Sequence, residues 1–302
     1  KDRVMDMPTS ENAMTGVGIG SALVGMRPIM SHQRVDFFVL ALDQLINNAA
    51  KWSYMFDGKM QAPLVIRLVI GRGWGQGPQH SQSLQSLFAH IPGLRVVMPS
   101  NPYDAKGMMI SAVEDNGPVV FLEHRWLHNT FGDVPEEMYR VPLSKAKVVK
   151  EGNDVSIVCS AHMVLEALKA HDVLAKDGIN AEVVDVRSTP LDHETILQSV
   201  KKTGRVIVAD DDWKSFGFGS EIITQVAESL HGDLKSAPRR ICLPDHPAPT
   251  SWALSNHYYP TAGNIVNSVR EMLGKEAVSL ESLGYDFTKP MDVPDKEFTG
   301  PF

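Results

Sequence analysis

The 302-residue chain sets 29 lysines and arginines against 36 aspartates and glutamates, a formal net charge of −7, and 43% of it is hydrophobic. That acidic balance excludes the basic surface a nucleic-acid partner selects, and two cysteines, Cys159 and Cys242, exclude a disulfide framework or a cysteine-built metal site. No run reaches the ~18 uninterrupted apolar residues of a membrane helix, and KDRVMDMPTS lacks the apolar stretch of a signal peptide.

A soluble protein of a reducing compartment is therefore expected: bacterial cytoplasm, with an organelle matrix as the alternative. Single cores stop growing near roughly 250 residues, so two domains are expected. A first residue other than methionine suggests a start inside a larger domain.

The first element is MPTSENAMTGVGIGSALVG, residues 7–25. Thr9 or Ser10 can cap a helix there, and Glu11 in its first turn complements the helix dipole by about 0.3–1 kcal/mol. Gly16, Gly18, Gly20 and Gly25 lack the register of a dinucleotide loop. Each glycine inside a helix costs about 1 kcal/mol relative to alanine, so close approach of a neighbouring element is the expected reason for them.

Strands follow at MRPIMSH, PLVIRLVI, LRVVMP and PVVFLEH. Between them, helical spacing of Phe38, Ala41, Leu42, Leu45, Ile46 and Ala49 predicts one helix over residues 36–55, and a second runs over 104–115. The loop GRGWGQGPQ leads to QHSQS, with a helix expected to start at Ser81. Residues 124–150 turn polar and proline-containing.

The alternation resumes with strands DVSIVCS, INAEVVDVRS, RVIVADD and RRICLP. Helices over 161–178, 191–204, 219–230 and 262–273 separate or follow them. This is the α/β pattern of two doubly wound domains: 1–136, a linker at 137–150, and 151–274. Glycines and prolines break any period after Gly274, predicting an extended tail over 275–302 that wraps another subunit.

Several polar residues remain ambiguous from spacing alone. His124 and His128 sit at i, i+4, but no carboxylate or third ligand completes a metal site, so they read as loop or interface residues, with Arg125 an anion contact. Asp210, Asp211 and Asp212 read as a solvated strand end near an interface.

Read together, GMRPIMSHQRVDF, ALDQLINNAAKW, GPQHSQSLQSLFAHIPGLRVVMPSNPYDAKG, DVRSTPLD, WKSFGFGSEI and PDHPAP carry a more specific signal. Their order and spacing resemble the β subunit of thiamine-diphosphate-dependent 2-oxoacid dehydrogenases of the pyruvate, branched-chain and acetoin type. The resemblance runs from Arg3 to about Leu273 and implies a pyrimidine-binding domain, incomplete at its N-terminus, followed by a transketolase C-terminal-like domain.

At matching positions Glu11 becomes the carboxylate that bonds the cofactor's pyrimidine nitrogen and drives its amino group through an imino form to the ylid. Gln33 and Phe37 flank the pyrimidine, Phe37 as a stacking surface, and His80 becomes the active-site histidine. His32, beside them, departs from the family pattern and would tune substrate choice.

Neither Gly132-Asp133-Val134 nor Gly232-Asp233-Leu234 forms the Gly-Asp-Gly motif that holds magnesium and the diphosphate. The resemblance therefore implies an α subunit supplying that half, a heterotetramer of two α and two β chains, and a lipoyl acyltransferase core as acceptor. It also implies a potassium site at the turn of Ala112, Asp115 and Gly117, built largely from backbone carbonyls. A strand–helix segment of roughly 30 or more residues is expected before Arg3, without which one sheet edge is exposed.

The activity implied is oxidative decarboxylation of a 2-oxoacid, pyruvate foremost, with transfer of the acyl group to a lipoyl carrier. One alternative is a split transketolase-like half acting on sugar phosphates, for which Arg34, Arg72 and Arg125 would supply cationic contacts. The other is a non-catalytic stabilising subunit.

Overall fold

The structure, a computed structural model, describes residues 3–293. Helix α1 (Glu11–Leu23) opens the chain with Ser10 at its N-cap, though no side chain caps it. Strand β1 (Ile29–His32) follows. The expected single helix is a continuous helical run of changing pitch: α2 (Val35–Phe38), a 3-10 turn at Val39–Ala41, a π segment at Gln44–Ala49 and α3 (Ala50–Met55). Asn48 lies within the π segment, and its side chain bonds the Asp43 carbonyl and the Gln44 side chain there. Phe38, Ala41, Leu45 and Ala49 are still buried on one face, as their spacing requires.

Next come β2 (Val65–Ile70), α4 (Gln85–Ala89), β3 (Arg95–Val97), α5 (Pro102–Glu114) and β4 (Val119–His124). Helix α4 starts at Gln85 rather than Ser81. The Gln82 amide is drawn away to the Asp36 carboxylate at 3.2 Å, and its carbonyl accepts from Gly71 at 3.2 Å, so these backbone groups serve tertiary contacts instead of a first helical turn.

The second half supplies β5 (Lys147–Lys150), β6 (Val155–Cys159), α6 (Met163–Lys176), β7 (Ala181–Asp185), β8 (Ser188–Thr189) and α7 (His193–Thr203). It closes with β9 (Val206–Trp213), α8 (Phe218–Leu230), β10 (Arg239–Leu243), α9 (Trp252–Tyr258) and α10 (Ala262–Met272). Part of the expected linker is thus a strand, with β5 lying antiparallel on β7 at the edge of the second sheet.

The sheet orders are β1-β2-β4-β3-β8 and β10-β9-β6-β7-β5, parallel except for β8 and β5. β8 leaves the second half and pairs with β3, Val96 opposite Thr189, tying the two halves together. β1 is an outer strand of its sheet. The largest apolar cluster runs across both halves, from Ile66, Leu68 and Phe88 to Val158, Val206 and Phe218.

As far as Val293 the tail lies on its own chain. Val278 and Leu283 pack against the core of the second half, with a 3-10 turn at Glu281–Leu283. Residues 294–302 of the expected tail lie outside the described residues. Among the described residues no helix is long and apolar enough to cross a membrane.

Candidate active site

In parallel α/β sheets, ligands collect at the carboxyl ends of the strands, where side chains project from loops instead of pairing in the sheet. Glu11 begins α1, half-buried, and among the described residues its carboxylate has no hydrogen bond or ion pair within the chain. Its charge acts on His32, the last residue of β1. Burial lowers the His32 pKa, and Glu11 opposes that shift. The His32 ring meets Phe38 edge-on at 4.9 Å, and its Nε2 is buried without a hydrogen bond. Gln33 follows, exposed. Phe37 on α2 is 37% exposed and meets His80 edge to face, ring centroids 5.2 Å apart.

The structure thus brings Phe37 to His80 and Glu11 to His32. A support that spacing did not reveal holds the first pair. The Asp36 carboxylate, adjacent to Phe37, accepts from the Gln82 amide and, at 2.9 Å, from its side chain. Arg34 donates to Asp36 at 3.0 Å and to the Gly71 carbonyl at 2.7 Å. Asp36 therefore couples α2 to QHSQS, and Arg34 couples it to the start of the loop. The sequence signal was a charged pair, Arg34 and Asp36, enclosing a fully buried Val35.

The acidic run after β9 is a correction. Asp210, Asp211 and Asp212 are 2%, 7% and 4% exposed, because β9 extends through them to Trp213 and the two halves close over it. Gln85 donates to Asp210 at 2.8 Å, and the Ser86 amide to Asp212 at 3.3 Å. Burial, reinforced by Asp212 and Asp211, pushes Asp210 up to about 8. Burial also raises Asp211, but His162, His124 and Arg72 outweigh it and hold that carboxyl below its ordinary value.

His124 likewise has the companions that spacing denied it. His124 Nε2 and His162 Nδ1 lie 3.7 Å and 3.6 Å from Asp211 Oδ2, and the two imidazoles stack at 4.7 Å. At those distances the rings face the carboxylate electrostatically, without closing a hydrogen bond to it. The Trp126 amide donates to His124 Nδ1 at 3.2 Å, which leaves the His124 proton on Nε2, toward Asp211, where a metal would need a lone pair. His128, by contrast, sits near the surface and pairs with Glu123 at 3.1 Å.

At the turn expected to hold potassium, the Asp115 carboxylate is taken by Arg95 at 2.9 Å and by the Gly117 amide at 2.8 Å. Arg27 donates to the carbonyls of Asp115, at 2.7 Å, and Val113, at 2.9 Å. Ala112 is buried. The Asp115 side chain is spoken for, and one of the expected carbonyls already faces a guanidinium.

The three arginines considered for sugar phosphates are also engaged. Arg34 is bonded as above. The Arg72 guanidinium lies between Trp126 and Tyr259, 4.3 and 4.1 Å from the ring centroids, within 3.7 Å of Asp292. Arg125 stacks on Trp74 at 4.5 Å and donates to the Gln76 side chain.

Two parallel-sheet domains with strand-end residues gathered on the first describe a transketolase-type architecture. Residues 1–129 match the transketolase pyrimidine binding domain, and residues 144–265 the transketolase C-terminal domain. A solved split-gene transketolase in an inactive β4 tetramer superposes with a TM-score of 0.74 at 26% identity, covering 91% of this chain and 85% of that one.

Within that class the chain belongs to the β subunits of the decarboxylating component of 2-oxoacid dehydrogenase complexes. It is 46% identical over 273 residues, 90% of this chain and 81% of the relative, to the β subunit of acetoin:2,6-dichlorophenolindophenol oxidoreductase of Cupriavidus necator. To the Bacillus subtilis β subunits of pyruvate dehydrogenase E1 and 2-oxoisovalerate dehydrogenase it is 41% and 40% identical, each over 275 residues, 90% of this chain and 84% of the relative.

Proposed function

We propose that this chain is the β half of a thiamine-diphosphate-dependent oxidoreductase that cleaves a bond next to a carbonyl and passes the acyl group to a lipoyl carrier. A single observation carries the reading: a half-buried Glu11 carboxylate without a partner among the described residues, at the same strand ends as a half-exposed Phe37 set against His80. Such a donor set fits a pyrimidine. Glu11 holds or gives a proton at a ring nitrogen, Phe37 offers an apolar face, and Gln33 a polar rim. Bound thiamine diphosphate would supply the nucleophilic carbon and the electron sink. His80, whose imidazole can both donate and accept a proton, steadies the substrate's polar end and moves a proton during acyl transfer.

The diphosphate and its magnesium fall to a separate α chain, because neither Gly-Asp pair here continues with glycine. Val17, Leu40, Tyr54 and Met55 are exposed on the helical segments of the first half and Val24 just beyond α1, apolar side chains of the kind a partner covers. A potassium ion at Ala112, Asp115 and Gly117 would rest on backbone carbonyls alone and would lie beside Arg27. The engaged state of Arg34, Arg72 and Arg125 weighs against sugar phosphates. The 46% identity to an acetoin enzyme's subunit favours, as a second reading, acetoin in place of a 2-oxoacid.

The test is reconstitution with a Gly-Asp-Gly-containing α chain, followed by turnover of pyruvate, 2-oxoisovalerate, acetoin and xylulose 5-phosphate with an artificial electron acceptor. Turnover is expected with one of the first three and not with the sugar phosphate. Calorimetry should show tight thiamine diphosphate binding, with magnesium, to the complex and weak binding to this chain alone. Tight binding by the lone chain would overturn the divided site.

A further inference from the structure

The loop from Gly71 to His80 takes its shape from residues distant in sequence. Trp74 holds a left-handed φ of 56°, a conformation that costs a side-chain-bearing residue energy unless contacts impose it. One contact that holds it comes from the tail: the Trp74 amide donates to the Asp292 carbonyl at 2.9 Å. The Asp292 carboxylate meanwhile faces Arg72 Nε at 3.7 Å, both side chains buried, while Trp126 and Tyr259 cover the two faces of the guanidinium.

The tail reaches this place along a fixed route over the second half. Asn267 exchanges two hydrogen bonds with Val278, both 2.9 Å, and the Tyr285 hydroxyl accepts from the Gly263 amide at 3.0 Å. Phe287 stacks on His257 at 5.1 Å. Asn256 then clasps the chain from both sides, donating to the Lys289 carbonyl at 2.8 Å and accepting from the Met291 amide at 2.9 Å. Each contact narrows where Asp292 can lie. The residue behaves as the end of a guided strap, and what it grips is the loop bearing His80.

We propose that Asp292 and Arg72 are positioning residues: the carboxyl-terminal tail, through this buried pair and the Asp292 carbonyl, sets the loop that presents His80 to the substrate. Neither residue touches a reacting group. They act through the loop, so the proposal rests on the reading of His80 given above. It adds to that reading a dependence of the first domain's active site on the chain around Asp292.

The experiment uses the full chain reconstituted with its α partner, comparing Asp292→Ala, the isosteric Asp292→Asn, Arg72→Lys and His80→Ala with the parent. Hydrogen exchange over residues 71–77 and tryptic cleavage after Arg72 report the loop without reference to activity. Asp292→Ala is expected to raise exchange there about tenfold or more and to open the Arg72 site to trypsin. It is expected to lower kcat/KM about tenfold with little change in thermal midpoint, Asp292→Asn lying between it and the parent. Arg72→Lys, which keeps the charge but loses the planar stack, should resemble Asp292→Ala.

Unchanged exchange and cleavage in Asp292→Ala would overturn the strap. Raised exchange with intact turnover, where His80→Ala does lose turnover, would overturn the positioning role. If His80→Ala itself kept full turnover, the reading of the active site would fall instead.

Discussion

A carboxylate at the first position of a helix ordinarily serves the helix dipole, and Glu11 occupies that position. The geometry separates capping from chemistry here, because among the described residues the side chain caps nothing and bonds nothing. Glu11→Gln removes only the exchangeable proton and the charge, so the fold and the assembly with the α chain should survive. If the carboxylate moves a proton at a pyrimidine nitrogen, turnover in the reconstituted complex should fall by about 10²–10⁴, the usual range for a lost acid–base group. Undiminished turnover in the electron-acceptor assay, with assembly verified by size-exclusion chromatography, would return Glu11 to the role of a dipole-compensating residue.

The glycines after Glu11 belong to the scale of elements, and they divide. A Cβ at Gly18 would come within 2.1 Å of Met30 Sδ on β1, whereas one at Gly20 would meet nothing. Gly18 is therefore the point at which α1 crosses β1. Gly18→Ala forces a methionine side chain to move in a close-packed seam and should cost about 1–3 kcal/mol, read as a lowered thermal midpoint, while Gly20→Ala should raise stability by its gain in helix propensity. Equal effects at the two positions would show that the seam yields freely. Local rules made this much legible: capping signals, apolar spacing and branched runs located most strands and helices, whereas His80 was singled out only by the family resemblance that QHSQS helps to carry. They were silent where a partner lies far along the chain. Asp36 and Gln82 are 46 residues apart and Gln85 and Asp210 are 125 apart, so no window contained the contacts that delay α4 or bury the aspartate run. His124 looked like a loop histidine for the same reason, since His162 and Asp211 reach it only after the second half folds.

Across the whole molecule, the junction of the two halves is polar as well as apolar, and its protonation should be visible in stability. Asp185 ends β7, fully buried, and accepts from Ser100 Oγ at 2.5 Å and from the Arg187 amide at 3.0 Å, while Arg187 pairs with Asp104 at 3.1 Å. Burial pushes Asp185 up to about 7; the Ser100 bond opposes that, the Asp104 charge adds to it, and Arg187 opposes it through its charge and its amide. The unfolded chain releases this proton near the ordinary aspartate value of about 4. Between those values the folded state binds more protons than the unfolded state, so Asp185 makes stability fall as pH rises. Its contribution is about 1.4 kcal/mol per pH unit across the window, absent below pH 4 and complete above pH 7. Asp185→Asn removes the titration but gives up one acceptor, so it should be less stable than the parent at pH 5 and recover, or overtake it, at pH 8. Thermal midpoints of the two chains at pH 5, 6, 7 and 8 check this. A constant gap between them would mean that Asp185 is already ionised at pH 5, and that the charge on Arg187 reaches the junction more strongly than burial opposes it.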